Sequence, residues 1–192
     1  MKVIIAETAH AGEIKDIYAP FVHNGFVTFE TQIPDKEVFE ERITHYTEKY
    51  PWLVMVENGK VLGYAYASAY RERIAYQWVV ECSVYVHAEH RKKGIAAKLY
   101  EALFEILLLQ GFYTVYAVIT IPNPQSVGFH EKMGFKWFAT YDNVGYKAGK
   151  WCNVGWWQLT LTKPNDSVPS APTPFPELDR SKVENILNKY TN

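Results

Sequence analysis

Glu81 stands in an alternating run, Val79 to His87, that leads into a basic turn with one glycine, Arg91-Lys-Lys-Gly94-Ile-Ala96. Period-two alternation predicts a strand with Glu81, Ser83 and Tyr85 on one face and Val80, Cys82, Val84 and Val86 on the other. The turn opens a strongly helical segment. Backbone N–H groups left free in a first helical turn, together with the helix dipole, favour an anion there. A carboxylate on the strand feeding such a cradle points to base chemistry beside a phosphate-bearing ligand. Taken alone, Arg91-Lys-Lys is equally a solvated loop, and Glu81 equally a strand charge paired with Arg73.

Bulk properties narrow the ligand. A net charge of −1 over 192 residues argues against a nucleic-acid partner, which needs a large basic excess. The basic run is therefore local and suits a small anion. No run approaches the ~20 apolar residues of a membrane span, and the opening Met1-Lys-Val-Ile-Ile-Ala-Glu7 lacks an apolar signal core. The expectation is a cytoplasmic protein with no membrane partner. Cys82 and Cys152 make no metal or disulfide pattern and are expected as reduced core or interface filler. An aromatic share of 16% suggests aromatic-lined pockets or interfaces.

The elements that must position Glu81 and the turn are legible from periodicity. Val3 to Ala6 reads as a first strand, and Gly12 to Val22 as a helix with Ile14, Ile17, Tyr18, Phe21 and Val22 at helical spacing. Pro34-Asp35 opens a second helix with Asp35 as N-cap, and Pro51 stops it. Trp52 to Glu57 and Lys60 to Ala67 flank Asn58-Gly59, the strongest short hairpin signal. The strand bearing Glu81 would add to this antiparallel meander. A helix from Ile95 to Gln110, capped by Gly111, then leads to the apolar run Tyr113 to Thr120, read as a strand buried on both faces. Strand, helix, strand implies a parallel crossover and hence a mixed α/β sheet. Pro122 to Ser126 turns into a short helix ended by Gly134. Phe135 to Asp142 and Gly155 to Leu161 read as closing strands joined by a loop containing Gly145, Gly149 and Trp151.

Composition changes at Pro164. Residues 1–163 read as the domain, and 164–192 as a Pro-rich linker with no core of its own, followed by a short helix. Ser181-Lys-Val-Glu184 fits a capping box, and Val183, Ile186, Leu187 and Tyr190 form an apolar stripe. A helix so short must dock on something if it forms.

This order of elements, with Arg91-x-x-Gly94-x-Ala96 and Asn123 followed by His130-Glu-Lys-Met-Gly-Phe135, resembles the GCN5-related N-acetyltransferase (GNAT) superfamily. Within it the chain is similar to phosphinothricin N-acetyltransferases through Tyr50-Pro-Trp-Leu-Val54, Ala75-Tyr76 with Glu81, Ser83-Val-Tyr-Val86, Ala117-Val-Ile119, and Gly145-Tyr-Lys-x-Gly-x-Trp151 with Val154-Gly-x-Trp157-Gln. The likeness runs from about Val3 to Lys163. It implies the GNAT fold, a mostly antiparallel mixed sheet with splayed central parallel strands flanked by helices, and it implies homodimers.

The resemblance also implies chemistry. Acetyl-CoA would place its pyrophosphate on the backbone of Arg91, Lys92, Lys93, Gly94, Ile95 and Ala96, with Gly94 allowing close approach. A backbone N–H among Val84, Tyr85 and Val86, at a bulge splaying the strands, would polarise the thioester carbonyl. Asn123 and Ser126 would complete the acetyl-CoA site. Glu81 would take the ammonium proton directly or through water, its pKa raised by partial desolvation. Glu30 is the runner-up base. His130 stands where many relatives carry a tyrosine acid; proton donor and substrate contact both stay open, beside a purely structural helix histidine.

Arg71, Arg73 and Tyr76 match the cluster that grips the acid groups of phosphinothricin, and paired guanidiniums suit a carboxylate plus a second oxyanion. Phe29, Tyr85, Val118 and Thr120 would line the same pocket. Thr120 and Arg71 replace the Gly and Lys of antibiotic-producer resistance enzymes, so methionine sulfoximine and methionine sulfone are as fitting as phosphinothricin. Transfer to another amine, such as a protein N-terminus, and a non-catalytic acetyl-CoA sensor are the competing readings. Arginines at the acceptor site disfavour a polycationic aminoglycoside.

Overall fold

The computed structural model describes residues 1–23 and 25–191. Seven strands, β1 (Lys2–Ile5), β2 (Trp52–Glu57), β3 (Lys60–Ala69), β4 (Val79–Val86), β5 (Thr114–Ile121), β6 (Lys136–Lys147) and β7 (Lys150–Thr160), form one sheet in the order β1-β2-β3-β4-β5-β7-β6. Only β4 and β5 run parallel; the other neighbours are antiparallel.

Local chemistry sets the corners. Asn58 and Gly59 both take positive φ, 50° and 75°, giving the two-residue turn whose twist matches the flanking strands. Gly111, at φ 96°, ends the helix α3 (Ile95–Gln110) as expected and lets its N–H reach the carbonyls of Leu107 and Leu108. Asp35 occupies the N-cap position of α2 (Lys36–Thr47), but its side chain makes no capping bond.

The helices cover opposite faces. The helix α1 (Ala11–His23) and α2 bury Ile14, Ile17, Tyr18, Phe39 and Ile43 against Trp52, Val54 and Tyr64. On the other face α3 inserts Ile95, Leu99, Tyr100, Leu103, Ile106 and Leu107 among Leu53, Ala65, Val80, Cys82, Val115 and Ala117. The helix α4 (Pro124–Lys132) joins that second layer through Phe129 and the following Phe135.

Three expectations need correction. β5 is buried on one face only: Val115, Ala117 and Ile119 face α3, whereas Val118 is 40% exposed. The segment around Gly145 and Trp151 is strand, because β6 and β7 continue to a two-residue turn at Ala148 and Gly149, both at positive φ. The tail also has core contacts. Phe175 is buried, its N–H donates to the Lys49 carbonyl, and the Gln110 side chain donates to the carbonyls of Lys49 and Thr173. The last helix, α5 (Arg180–Lys189), is capped by Asp179, whose carboxylate accepts from the Ser181 N–H, so Ser181 is not the cap. Val183, Ile186 and Leu187 pack it against α3 and β1.

Candidate active site

Glu81 lies at the point where the sheet opens. β4 and β5 pair at Val79–Thr114, Val80–Val115 and Glu81–Tyr116, and at no residue beyond. On its other edge β4 stays paired to β3 in unbroken register from Val80 to Val86. The splay therefore comes from the end of parallel pairing, and the bulge expected near Tyr85 is not in β4. The His87 N–H donates to Leu62 of β3. By the alternation of an antiparallel ladder, the peptide groups of Val84 and Val86 turn the other way, into the splay. The Tyr85 peptide group belongs to the β3 ladder, so Val84 and Val86 supply the open N–H groups.

Burial pushes the Glu81 carboxyl up to about 7, against a smaller opposing pull from Arg71. Arg71 rather than Arg73 is thus the cation that Glu81 senses. The Arg71 guanidinium lies 5.0 Å over the Tyr70 ring. Tyr70 meets Tyr76 and Tyr116 edge-on at 5.7 and 4.9 Å. Arg73, Arg71 and Tyr76 are all exposed on the β3–β4 connection. Pleat alternation in β5 turns Tyr116, Val118 and Thr120 away from α3, to the face that also carries Glu81. The expected acceptor residues thus share one side of the sheet. Tyr70 was not legible as a site residue, since nothing in a strand-end tyrosine marks it as a platform for an arginine.

On the same face, Tyr85 packs against Tyr18, Phe21 and Tyr64 with centroids 5.1–5.2 Å apart. Glu30 borders a small cavity of about 180 Å³, shared with Tyr18, Arg42, Tyr46, Trp52, Tyr64 and Tyr66. Its Oε1 accepts from Arg42 Nη2 at 2.7 Å. Glu30 is therefore held by an arginine of α2 that sequence spacing gave no reason to single out. Phe29 rests its ring on Gly145 of β6.

The opposite face carries the anion cradle and His130. Lys92 and Gly94 adopt positive φ, 62° and 79°, curling residues 91–94 into an exposed turn. Gly94 sits at the N-cap of α3 with no side-chain cap, and the first turn of α3 has no acidic residue. Its N–H groups stay open to an anion, while the buried Ile95 side chain anchors the helix. These features fit a pyrophosphate.

His130 is only 7% exposed, and burial lowers its pKa. Its Nδ1 lies 2.8 Å from the Ser126 carbonyl and its Nε2 3.1 Å from the Tyr100 hydroxyl. With Nδ1 donating to Ser126, Nε2 accepts from Tyr100. Tyr100 in turn bonds Cys82, whose thiol burial pushes up to about 12. The structure thus brings His130 to Tyr100 and Cys82, not to Glu81, which points off the other face of β4. The Asn123 side-chain Oδ1 accepts from the Ser126 N–H at 3.2 Å and caps α4. His87, Glu89 and His90 bring three donor atoms within 4.8 Å of one another. However, Lys93 Nζ sits 3.3 Å from His90 Nδ1, setting a positive charge beside that group.

Residues 4–156 match the family model of the acetyltransferase (GNAT) domain. The chain belongs to the GNAT acetyltransferase family. It is 35% identical over 167 residues to a phosphinothricin N-acetyltransferase of Streptomyces viridochromogenes, covering 87% of this chain and 91% of that protein. It is 32% identical over 165 residues to the L-methionine sulfoximine/L-methionine sulfone acetyltransferase of Salmonella typhimurium, covering 84% and 95%. A GNAT phosphinothricin acetyltransferase from Sinorhizobium meliloti, solved with acetyl-CoA, superposes with a TM-score of 0.84 at 34% identity, covering 92% of this chain and 96% of that one. The mixed sheet with one parallel pair is the GNAT fold, and this GNAT member is an acetyl-CoA-dependent N-acetyltransferase.

Proposed function

We propose that the protein acetylates the α-amino group of a small amino-acid-like substrate of the phosphinothricin, methionine sulfoximine or methionine sulfone type, with Glu81 as general base. The observation that carries this reading is a desolvated carboxylate, pushed up to about 7, at the mouth of the splay between arginine-bearing and cradle-bearing ends. A base poised near neutrality can accept the ammonium proton and still be ionised beforehand.

Each residue then has a task. Residues 91–96 hold the pyrophosphate at the N-terminus of α3. From there the acyl-bearing arm follows the open edge of β4 from Val86 to Glu81, five residues or roughly 17 Å at about 3.3 Å per residue. Val84 and Val86 direct N–H groups at the carbonyl oxygen as it gains charge. Arg71 and Arg73 take the acceptor's acid groups, while Tyr76, Phe29, Tyr85, Val118 and Thr120 wall its side chain. Glu81 removes one ammonium proton, the nitrogen lone pair forms the N–C bond, and the C–S bond breaks with its electron pair leaving on sulfur. The proton the acylated nitrogen then sheds accounts for release of CoA as the free thiol. Direct transfer fits the chemistry of Cys82, whose thiol stays protonated and buried. On this reading His130 acts as a positioning residue for Tyr100, and Asn123 and Ser126 shape the start of α4 beside the acetyl-CoA site.

We also infer a cytoplasmic homodimer. No helix among the described residues is long and apolar enough to cross a membrane. β6 is the edge strand, and Trp137, Tyr146 and Trp151 on the β6–β7 hairpin are each more than half exposed. An aromatic patch on an open edge suits burial against a second copy. Sedimentation of a monomer at micromolar concentration would overturn this.

One assay panel tests the function. Purified protein with acetyl-CoA is offered methionine sulfoximine, phosphinothricin, methionine sulfone, a peptide and an aminoglycoside, and thiol release is followed. Turnover of at least one of the three small analogues, with none on the aminoglycoside, is expected. Turnover of the peptide alone, or acetyl-CoA binding with no turnover at all, would replace the proposal by another amine or by a sensor.

A further inference from the structure

In the motif Gly145-Tyr-Lys147-x-Gly149-x-Trp151, only the exposed Tyr146 and Trp151 have a role above, on the dimer face; Lys147 has none. Structurally the motif is the tip of the β6–β7 hairpin. β5 and β7 pair as far as Ile121–Asn153, whereas β6 and β7 pair on through Gly145–Cys152 to Lys147–Lys150. The tip therefore extends past the end of β5, where it meets the connection between α1 and α2.

Three contacts join the two. Lys147 is 6% exposed, and its ammonium donates to the Val22 carbonyl at 2.9 Å and to the Thr28 carbonyl at 2.8 Å. One of those carbonyls belongs to the last turn of α1 and the other to the residue before Phe29, so a single side chain ties the end of α1 to the middle of the connection. Gly145 lies directly under Phe29: a Cβ built there would come within 2.2 Å of the ring. The φ at Gly145 is not positive, so here glycine is needed for space and not for backbone conformation. Lys150 Nζ sits 4.5 Å over the Phe26 ring. The connection is also fixed by Thr28 Oγ1, which bonds the Tyr18 hydroxyl at 2.5 Å, and by Glu30 on Arg42.

A buried ammonium is costly unless its donors are satisfied. A loop of this length has many alternative paths. A lysine satisfied by one carbonyl of α1 and one of the connection therefore selects a single path for it. We propose that Lys147 and Gly145 are positioning residues that hold Val22 and residues 25–30, and with them Phe29 and Glu30, in the shape that receives the acceptor. This rests on the reading that the acceptor binds on the Glu81 face. It makes the hairpin tip a determinant of acceptor affinity and not of acetyl-CoA affinity. The cradle at 91–96 is anchored on α3 through the buried Ile95, and it meets α1 through Arg91, 5.2 Å over the Phe21 ring, on helix and not on the connection.

The test uses the full chain with Lys147→Met and Gly145→Ala. Amide hydrogen exchange at Val22 and across residues 25–30 is expected to quicken in both, whatever the substrate, while exchange in α3 stays unchanged. With whichever analogue the wild type turns over, acceptor KM should rise about tenfold, the equivalent of one lost charged hydrogen bond. The dissociation constant for acetyl-CoA and kcat should stay within about threefold of wild type. In a Phe29→Ala background Gly145→Ala should add nothing further to KM, because its effect runs through the ring it displaces. Gly145→Ala adds one methyl beneath a half-exposed ring, so it keeps the test alive if Lys147→Met does not fold. Unchanged exchange at Val22 and over 25–30 would overturn the proposal, as would a parallel loss of acetyl-CoA binding or full additivity with Phe29→Ala. Faster exchange in an enzyme that turns over no amino-acid analogue would instead refute the acceptor assignment, leaving the mechanical tie in place.

Discussion

Glu81 pairs with Tyr116 on the last rung of the β4–β5 ladder, so the carboxylate stands where the two strands part. One peptide further along, β4 has lost its parallel neighbour and offers bare backbone to a ligand. The base and the opening thus share one cause, the register at which parallel pairing ends. Glu81→Gln keeps the shape and removes the basicity. We expect kcat to fall roughly 10²–10⁴-fold, the usual worth of a positioned base, with acetyl-CoA affinity unchanged. The kcat/KM profile of the wild type should rise through a limb near pH 7 that Glu81→Gln lacks. The sign of the stability effect follows as well. A carboxyl raised from 4.5 to about 7 in the fold binds more protons folded than unfolded between those values, so its burial costs stability as pH rises through that window. Glu81→Gln should melt higher than wild type at pH 8 and match it below about pH 4.5; a variant that melts lower at pH 8 would contradict the desolvation argument.

Much of this was legible because it rests on local rules. The Asn58-Gly59 hairpin, the Ile95 to Gln110 helix and its Gly111 cap depend on backbone chemistry within a few residues, and they appear as read. The Glu81 shift was legible in direction, since a carboxylate among valines must lose water. Partnerships set by tertiary packing were not. Arg42 reaches Glu30 across 12 positions, and Tyr100 meets His130 from 30 positions away. The β6–β7 tip read as loop because glycines usually punctuate strands, yet Gly145 is glycine to admit Phe29. The bulge expected in β4 came from the family pattern alone, and no residue there called for it.

Arg71, seated against Tyr70, is the cation that opposes the burial-raised Glu81 pKa. Arg71→Ala should therefore move the limb near pH 7 upward and raise acceptor KM. Arg73→Ala should raise KM with the limb unmoved. Profiles measured at several acceptor concentrations separate the two, and an identical limb in both variants would show that Arg71 does not reach Glu81 electrostatically.

His130 and Tyr100 form one buried unit, so their substitutions should not add. His130→Gln and Tyr100→Phe each leave a partner unsatisfied and should cost roughly 1–3 kcal/mol in stability. The double variant should cost less than their sum. With His130 as a positioning residue, kcat should fall less than about tenfold. A fall of 10² or more in His130→Gln alone, with acetyl-CoA affinity unchanged, would make it the proton donor to the departing thiolate.

The helix α5 makes a separable prediction, because it packs on α3 and β1, away from Glu81. Leu187 is buried between α5 and the α3 layer, and Glu105 of α3 holds α5 from outside through Lys189 and the Tyr190 hydroxyl, each at 2.5 Å. Such a short helix would be marginal alone, so its order comes from this docking. We propose that the chemistry resides in residues 1–163 and that the tail covers an apolar patch which the α3 layer would otherwise expose. Leu187→Ala should cost roughly 2–5 kcal/mol, towards the lower end because the site lies at the edge of the core, and it should lower Tm visibly. At 20 °C, where the variant remains folded, kcat and both KM values should match wild type. A loss of kcat there, at unchanged ellipticity, would place the tail in the catalytic cycle.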